Sequence, residues 1–270
     1  MRLTRLLVPA LLLGASGVLA AHDLFLKLTD YFVRPDAAVT VTALNGTFTT
    51  SENAIARARV ADLSLAGPAG RQQVDTARLG AAGNRTVIRT RTGPAGTYVL
   101  GLSLRPSEIT LKGEQFNDYL KEEGLQKTLQ TRREAGELTR PATERYAKHV
   151  KVMFQAGTPP SASYRVVFGY PVEIVPLSNP YELKLGDTLA LRLLKDGAPA
   201  AGIAALAGGR SAAGTTIRSI PLQADQEGVV RVPLRARGTW YVKFIAMTRV
   251  SEPKLDYISR WATLTFAVRR

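Results

Sequence analysis

The chain has 270 residues, 45% of them hydrophobic, with no cysteine and a net charge of +14 from 36 basic and 22 acidic residues. This length and apolar content allow a large core in one or two domains and exclude a disordered chain. The lack of cysteine excludes a disulfide framework, thiolate metal sites, a cysteine nucleophile and a lipid-modified cysteine.

The basic residues are spread along the chain. Five arginines alternate with apolar residues as on the wet face of a sheet, and they are Arg57, Arg59, Arg85, Arg89 and Arg91. Basic runs with interleaved aromatics, which stack nucleic-acid bases, are absent from the sequence. We therefore expect no specific nucleic-acid partner, whereas the positive charge favours anionic cell-envelope polymers.

Residues 1–20 have the pattern of a secretory signal peptide. Arg2 and Arg5 supply the positive start, residues 6–13 the apolar stretch and residues 18–20 the cleavage site. The pattern predicts export to the periplasm or the extracellular space. An uncleaved anchor is the alternative, but the apolar run is shorter than the roughly 20 residues of a spanning helix, and no later segment is predicted to span a membrane.

Cleavage would expose Ala21-His22-Asp23, or His22 itself, as the new amino terminus. A free α-amine beside an imidazole offers two nitrogen donors of the type that nickel and copper prefer. The alternative is an ordinary histidine at the start of the first strand. We treat His22 and Asp23 as candidate metal ligands.

The region after the amino terminus is patterned as short β-strands. Apolar and polar residues alternate in five segments, separated by turn signals such as Asn45-Gly46. The segments are residues 24–28, 39–43, 60–65, 86–90 and 97–104. They predict a β-sandwich for an amino-terminal unit covering residues 21–170.

A helical insertion is predicted over residues 113–149. Phe116, Tyr119 and Leu120 share one helical face before a stop at Gly124. A second helix should end at Gly136, and Pro141 suits the first turn of a third. The charged residues of the first helix are expected to be solvated.

The alternation returns after this insertion. Val150, Val152 and Phe154 predict a strand, although a helix running to Gly157 stays open. Further strand patterns in residues 171–270 predict a second sandwich. A glycine-rich segment at residues 208–214 lacks the lysine of a phosphate loop and is interpreted as a mobile hairpin loop.

Several blocks of sequence resemble a bacterial exported family that carries domain of unknown function 4198. The blocks are FNDYLKEEGL, ERYAKHVK, GYPVEIVPLSNPYELKLGD, GTWYVKFIAM and RWATLTFAV. The resemblance implies two immunoglobulin-like β-sandwich units with a helical insertion between them. It matches Ala21-His22 to the start of the mature chain and residues 261–266 to the last strand. Some members are grouped with periplasmic components of nickel or cobalt uptake.

Three functions follow as hypotheses. The first is a non-enzymatic periplasmic binding or accessory protein for nickel, cobalt or copper, with His22, Asp23 and His149 as ligands and an uptake transporter as partner. The second is a non-metal module that recognises a cell-envelope polymer or protein. The third is a copper oxygenase that holds its metal with the amino-terminal histidine and His149.

Overall fold

The computed structural model describes residues 23–269, so the predicted signal peptide and His22 lie outside the described residues. The described chain is mainly β, with two α-helices, α1 (Gly113–Glu122) and α2 (Gln126–Glu134). The strands are β1 (Asp23–Leu28), β2 (Phe32–Val33), β3 (Ala38–Gly46), β4 (Ser51–Asn53), β5 (Val60–Gly67), β6 (Gly70–Gln73), β7 (Leu79–Ala82), β8 (Arg85–Arg91), β9 (Gly96–Leu104), β10 (Ser107–Leu111), β11 (Ala142–Ala156), β12 (Val172–Pro176), β13 (Thr188–Lys195), β14 (Ala198–Pro199), β15 (Ala204–Ser211), β16 (Thr216–Gln223), β17 (Val229–Pro233), β18 (Gly238–Glu252) and β19 (Leu255–Val268).

A large central sheet organises the molecule. Its main path runs β16-β15-β18-β19-β11-β9-β5-β6. At its centre β11 and β19 pair in parallel, from Glu144 opposite Tyr257 to Val152 opposite Thr265. The sheet therefore joins strands from both sides of the predicted boundary at residue 170.

Two smaller sheets and the helices cover this central sheet. The sheet β1-β3-β8-β7 shares a core with β5, β9 and β11 that includes Leu26, Val41, Leu100 and Val152. The sheet containing β12, β13 and β17 shares another with β15, β18 and β19 that includes Trp240. The expected mainly β sandwich fold with a helical segment between strands is confirmed.

The helices pack through the face predicted for them. Phe116, Tyr119 and Leu120 are buried in one cluster with Tyr257 and Trp261 of β19. This cluster fixes the end of α1 against the central sheet.

The predicted third helix is wrong. Residues 142–149 belong to β11, which pairs with β10 on one side and with β19 on the other. The helical insertion therefore ends with α2. The pairing of residues 142–146 with β10 and of residues 144–149 with β19 overrides the local helix signals at Pro141 and Glu144.

The predicted glycine-rich hairpin loop is wrong for residues 208–211, which lie in β15, whereas residues 212–214 do lie in the turn between β15 and β16. Gly208 and Gly209 lie within β15, paired with Tyr241 and Trp240 of β18. A Cβ atom at Gly209 would lie 2.1 Å from the Thr239 carbonyl oxygen, so close backbone approach explains this glycine.

None of the helices within residues 23–269 is long and apolar enough to cross a membrane.

Candidate functional site

Asp23, the first described residue, opens β1 and points into a buried group of charges. One of its carboxylate oxygens, Oδ2, lies 2.5 Å from the Nζ of Lys243 in β18. The same ammonium lies 2.7 Å from a carboxylate oxygen of Glu123, which follows α1. Lys243 thus joins the start of β1 to the end of α1. The expectation that Glu123 is solvated is wrong, since its side chain is only 11% exposed.

The charges in this group perturb one another. Burial by itself lowers the pKa of Lys243, but the carboxylates of Asp23 and Glu123 outweigh it and hold that pKa above its ordinary value. Burial and the neighbouring Asp23 raise the pKa of the Glu123 carboxyl to about 7. The group therefore holds two carboxylates that compete for one ammonium.

A third carboxylate, Glu144 in β11, lies fully buried nearby. Its Oε1 accepts hydrogen bonds from the hydroxyls of Ser259 and Tyr119, the latter at 3.2 Å. The Trp261 indole donates to Ser259 at 2.9 Å and stacks on the Tyr119 ring with centroids 5.6 Å apart. Burial raises the pKa of Glu144, against the hydrogen bonds from Ser259 and Tyr119, which lower it.

The fifth charge is Lys148, also in β11. Its ammonium donates to the Asn45 side chain at 2.8 Å and lies 5.9 Å from the centre of the Trp261 ring. Burial lowers its pKa to about 8, against the opposing attraction of Asp23. Lys148 and Tyr119 both feel the charges of Asp23, Glu123 and Glu144, which places these groups in one electrostatic unit.

We call Asp23, Glu123, Glu144, Lys148 and Lys243 the amino-terminal cluster. With every member ionised, three carboxylates face two ammoniums. Asp23 Oδ1 and Glu144 Oε2 are buried and have no hydrogen-bond partner among residues 23–269. Buried carboxylate oxygens without partners are costly, so this arrangement favours an additional donor or cation.

His149 does not join this cluster. Lys243 pairs with Thr263, and Thr263 pairs with Val150, so these three side chains share one face of the central sheet. His149 precedes Val150 and therefore points to the opposite face. The structure does not bring His149 together with Asp23, and a site that uses both residues is excluded by the direction of their side chains.

His149 has a structural environment of its own. Its Nδ1 shares a hydrogen bond of 2.9 Å with the Ser103 hydroxyl, and its ring lies 5.9 Å from that of Tyr170. Burial and the charge of Arg260 lower its pKa to about 4, so the imidazole is neutral at physiological pH. It is 4% exposed and is not an accessible ligand.

The same face carries a buried ion pair between Lys151 and Glu173. The Glu173 carboxylate also accepts the backbone N–H groups of Phe168, Gly169 and Tyr170, at 3.0, 2.7 and 2.8 Å. Glu173 therefore accepts from four donors, and it holds the segment of residues 168–170 next to β12.

Metal ligation by the described residues alone is not supported. Residues 23–269 contain no group of three or more His, Cys, Asp or Glu side chains placed to hold a metal ion. His22, the other predicted nitrogen ligand, lies outside the described residues. Of the predicted ligands within residues 23–269, the structure therefore places Asp23 in the amino-terminal cluster and His149 outside it.

Sequence reasoning missed the other members of this cluster. A signal was present, because Lys243 stands between Val242 and Phe244, and Lys148 precedes the alternating apolar residues of β11. A lysine within an otherwise apolar strand is buried only when it is paired, so such residues point to buried charge clusters.

The fold and this cluster define a class of β-sandwich protein in which the first strand is anchored by buried charges. The chain matches the family model described as Domain of unknown function (DUF4198) over residues 19–248, and it belongs to that family. A search of curated proteins finds no match.

Solved structures give distant similarities only. Trypsin-activated alpha-2-macroglobulin from Escherichia coli is 11% identical with a TM-score of 0.23, covering 92% of this chain and 16% of that chain. The Escherichia coli adhesin FdeC is 13% identical with a TM-score of 0.23, covering 90% of this chain and 65% of that chain. A two-domain fibronectin type-III segment of chicken tenascin is 10% identical with a TM-score of 0.19, covering 89% of this chain and 97% of that chain. At these TM-scores the similarities carry no argument about function.

Proposed function

We propose that the protein is exported to the periplasm or the extracellular space and binds, without transforming, a transition-metal ion of the nickel, cobalt or copper type at its processed amino terminus. His22 and the free α-amine would supply nitrogen donors, and Asp23 a carboxylate oxygen. Delivery to a metal uptake transporter is the role in keeping with such a site.

The observation that carries this proposal is the unpaired Oδ1 of Asp23. This oxygen is buried and without a partner among residues 23–269, while Oδ2 of the same carboxylate is held by Lys243. Lys243 therefore fixes the carboxylate and leaves one oxygen to coordinate. Because His22 directly precedes Asp23, the imidazole and the carboxylate belong to adjacent residues of the chain.

The charge of the amino-terminal cluster also suits a cation. When all five groups are ionised, three carboxylates face two ammoniums, and burial together with Asp23 raises the pKa of Glu123 to about 7. A bound metal ion would reduce the repulsion among these carboxylates, because its positive charge balances the carboxylate that has no ammonium partner. His149 has no part in this site, and a copper oxygenase that depends on His149 as its second nitrogen ligand is not proposed.

The test is calorimetric titration of processed protein, purified from the periplasm, with Ni²⁺, Co²⁺ and Cu²⁺. Mass spectrometry of the same sample establishes the amino-terminal residue. We expect one ion per chain and a loss of affinity of more than about tenfold in His22→Ala and Asp23→Asn, the loss typical even of residues that only support metal ligands.

The matched control is His149→Gln, which removes the other histidine of the chain and should leave metal affinity unchanged. A variant with one extra residue before the processed terminus moves the α-amine away and should weaken binding. Absence of binding, or equal binding in His22→Ala, contradicts the metal site. Protein that retains Met1 contradicts export. If correctly processed protein binds none of the three ions, a non-metal envelope-recognition role becomes the better account.

A further inference from the structure

A cleft of about 880 Å³ opens at the far end of the central sheet from the amino-terminal cluster. Phe32 lines it from β2, Tyr181 and Leu183 from the segment after β12, Arg237 from before β18 and Arg269 from after β19. Arg269 lies eight residues beyond Trp261, or about 26 Å along an extended strand. The cleft is thus independent of the proposed metal site.

The two arginines are neighbours across the end of the β18–β19 hairpin. The antiparallel register ends with Gly238 opposite Val268, Arg237 directly precedes this last pair and Arg269 directly follows it, and both arginines line the same cleft. The Ala212 N–H donates to the Arg237 carbonyl at 2.8 Å, which ties the bend before β18 to the turn after β15. Two like charges on the lining of one cleft repel each other.

Carboxylates of the described chain do not neutralise this pair. Neither guanidinium forms an ion pair within residues 23–269, whereas Arg140, Arg145 and Arg249 all do. Glu182 lines the cleft without reaching either arginine at ion-pair distance. The Arg269 guanidinium lies 4.9 Å from the centre of the Phe32 ring, an arrangement that holds the planar cation in place.

The floor of the cleft offers rings and few free polar groups. The Phe32 and Tyr181 rings meet edge to face with centroids 5.3 Å apart. The Tyr181 hydroxyl donates to the Met153 carbonyl, and the Gln155 amide donates to the Gly157 carbonyl at 2.9 Å. Recognition of a ligand would therefore combine apolar ring contact with the two guanidinium groups.

The arginine pair also lines a second cavity. This cavity has a volume of about 530 Å³ and shares Phe32, Arg237 and Arg269 with the cleft. A ligand that places an anionic group on the arginines can continue to both sides of them, as a polymer does. Paired guanidiniums suit carboxylate and phosphate groups, with which they form two parallel hydrogen bonds.

We propose that this cleft binds an acidic polysaccharide. One carboxylate or phosphate group lies between Arg237 and Arg269, and the C–H face of a sugar ring packs on Phe32 and the adjoining apolar wall. The ligand anion removes the repulsion between the two arginines, so binding and local stability are coupled.

The test is calorimetry at low salt with tetragalacturonate, neutral maltotetraose, inorganic phosphate and a short single-stranded oligonucleotide. We expect binding of tetragalacturonate, no binding of maltotetraose, and a loss of more than about tenfold in Arg237→Gln and Arg269→Gln from lost charge-assisted hydrogen bonds. The matched control is Arg235→Gln, an exposed arginine of the same loop that lines neither cavity. A glycan with phosphate in place of carboxylate groups separates the two anion sources.

Other outcomes overturn the proposal. Equal losses in Arg235→Gln would mean attraction by net charge alone. Phosphate that binds as tightly as tetragalacturonate would mean a compact-anion site, and preference for the oligonucleotide would mean a nucleic-acid site. Without ligand, Arg237→Gln should melt at a higher temperature than the wild type, since one of two facing charges is removed; a lower melting temperature would assign the pair a structural role.

Discussion

Replacing Lys243 with methionine tests the electrostatic account of the amino-terminal cluster. The change keeps a long apolar side chain and removes the ammonium that Asp23 and Glu123 share at 2.5 and 2.7 Å. Both carboxylates are largely buried, at 13% and 11% exposure, so water replaces the lost partner poorly. We expect the free energy of unfolding to fall by about 3–5 kcal/mol at about pH 8, as for other buried pairs that lose one member.

The loss in free energy of unfolding caused by Lys243→Met, called the deficit below, should be smaller at lower pH. The pKa of Glu123, about 7 in the folded protein, exceeds its unfolded value of 4.5, so the folded state binds this proton more tightly. The contribution to stability is therefore present at low pH and is lost as pH rises from 4.5 through 7. Lys243 lowers this pKa, so the variant should bind the proton more tightly still. At about pH 6 the deficit should narrow by about 1 kcal/mol, since one pKa unit is worth about 1.4 kcal/mol.

The assay is urea unfolding at about pH 6 and about pH 8, followed by the fluorescence of the buried Trp240 and Trp261. Lys127→Met is the control, because Lys127 is exposed, and its stability should stay within about 0.5 kcal/mol of the wild type. A deficit below about 1 kcal/mol at both pH values would refute the shared-ammonium reasoning. A deficit that grows on acidification would refute the assignment of the raised pKa to Glu123.

Two further predictions concern His149 and Gly209. The His149 pKa of about 4 lies below the unfolded value of 6.5, so this residue contributes stability above pH 6.5 that is lost as pH falls through 4. The NMR resonances of its ring should therefore stay unshifted from about pH 8 to about pH 5. Titration near the unfolded value would contradict its burial. In Gly209→Ala the new Cβ would meet the Thr239 carbonyl at 2.1 Å, whereas in Gly80→Ala the nearest atom is a flexible side chain 3.4 Å away. Urea unfolding should show a loss of about 3 kcal/mol for Gly209→Ala and little change for Gly80→Ala, and equal effects would argue against close backbone approach at Gly209.

The amino-acid pattern by itself determined those strands and helices that bury one face and expose the other. Alternation predicted residues 24–28 and 97–104, which form β1 and β9, and helical spacing predicted the buried face of α1 with its stop near Gly124. These segments could be predicted because periodicity records which side of a local element is buried. The family resemblance pointed to the same sandwich class and is confirmed by the match over residues 19–248.

The candidate site was predicted only at Asp23. Its partners are distant in sequence, since Lys243 lies 220 residues and Glu123 100 residues from Asp23. Alternation puts Lys148 and His149 on opposite faces of any strand, but it does not say which face meets Asp23 at the start of β1. The packing of β1 against one face of the central sheet placed Lys148 in the cluster and left His149 outside it.

Tertiary structure alone decided the conformation of residues 142–149. Locally Pro141 and Glu144 favour the start of a helix, yet the parallel pairing of β11 with β19 makes this segment the centre of the largest sheet. The same pairing buries Glu144 beside Ser259, and the pairing of β15 with β18 requires a glycine at position 209. Pairing between distant strands depends on which chain segments meet, and local residue pattern carries no record of that partner.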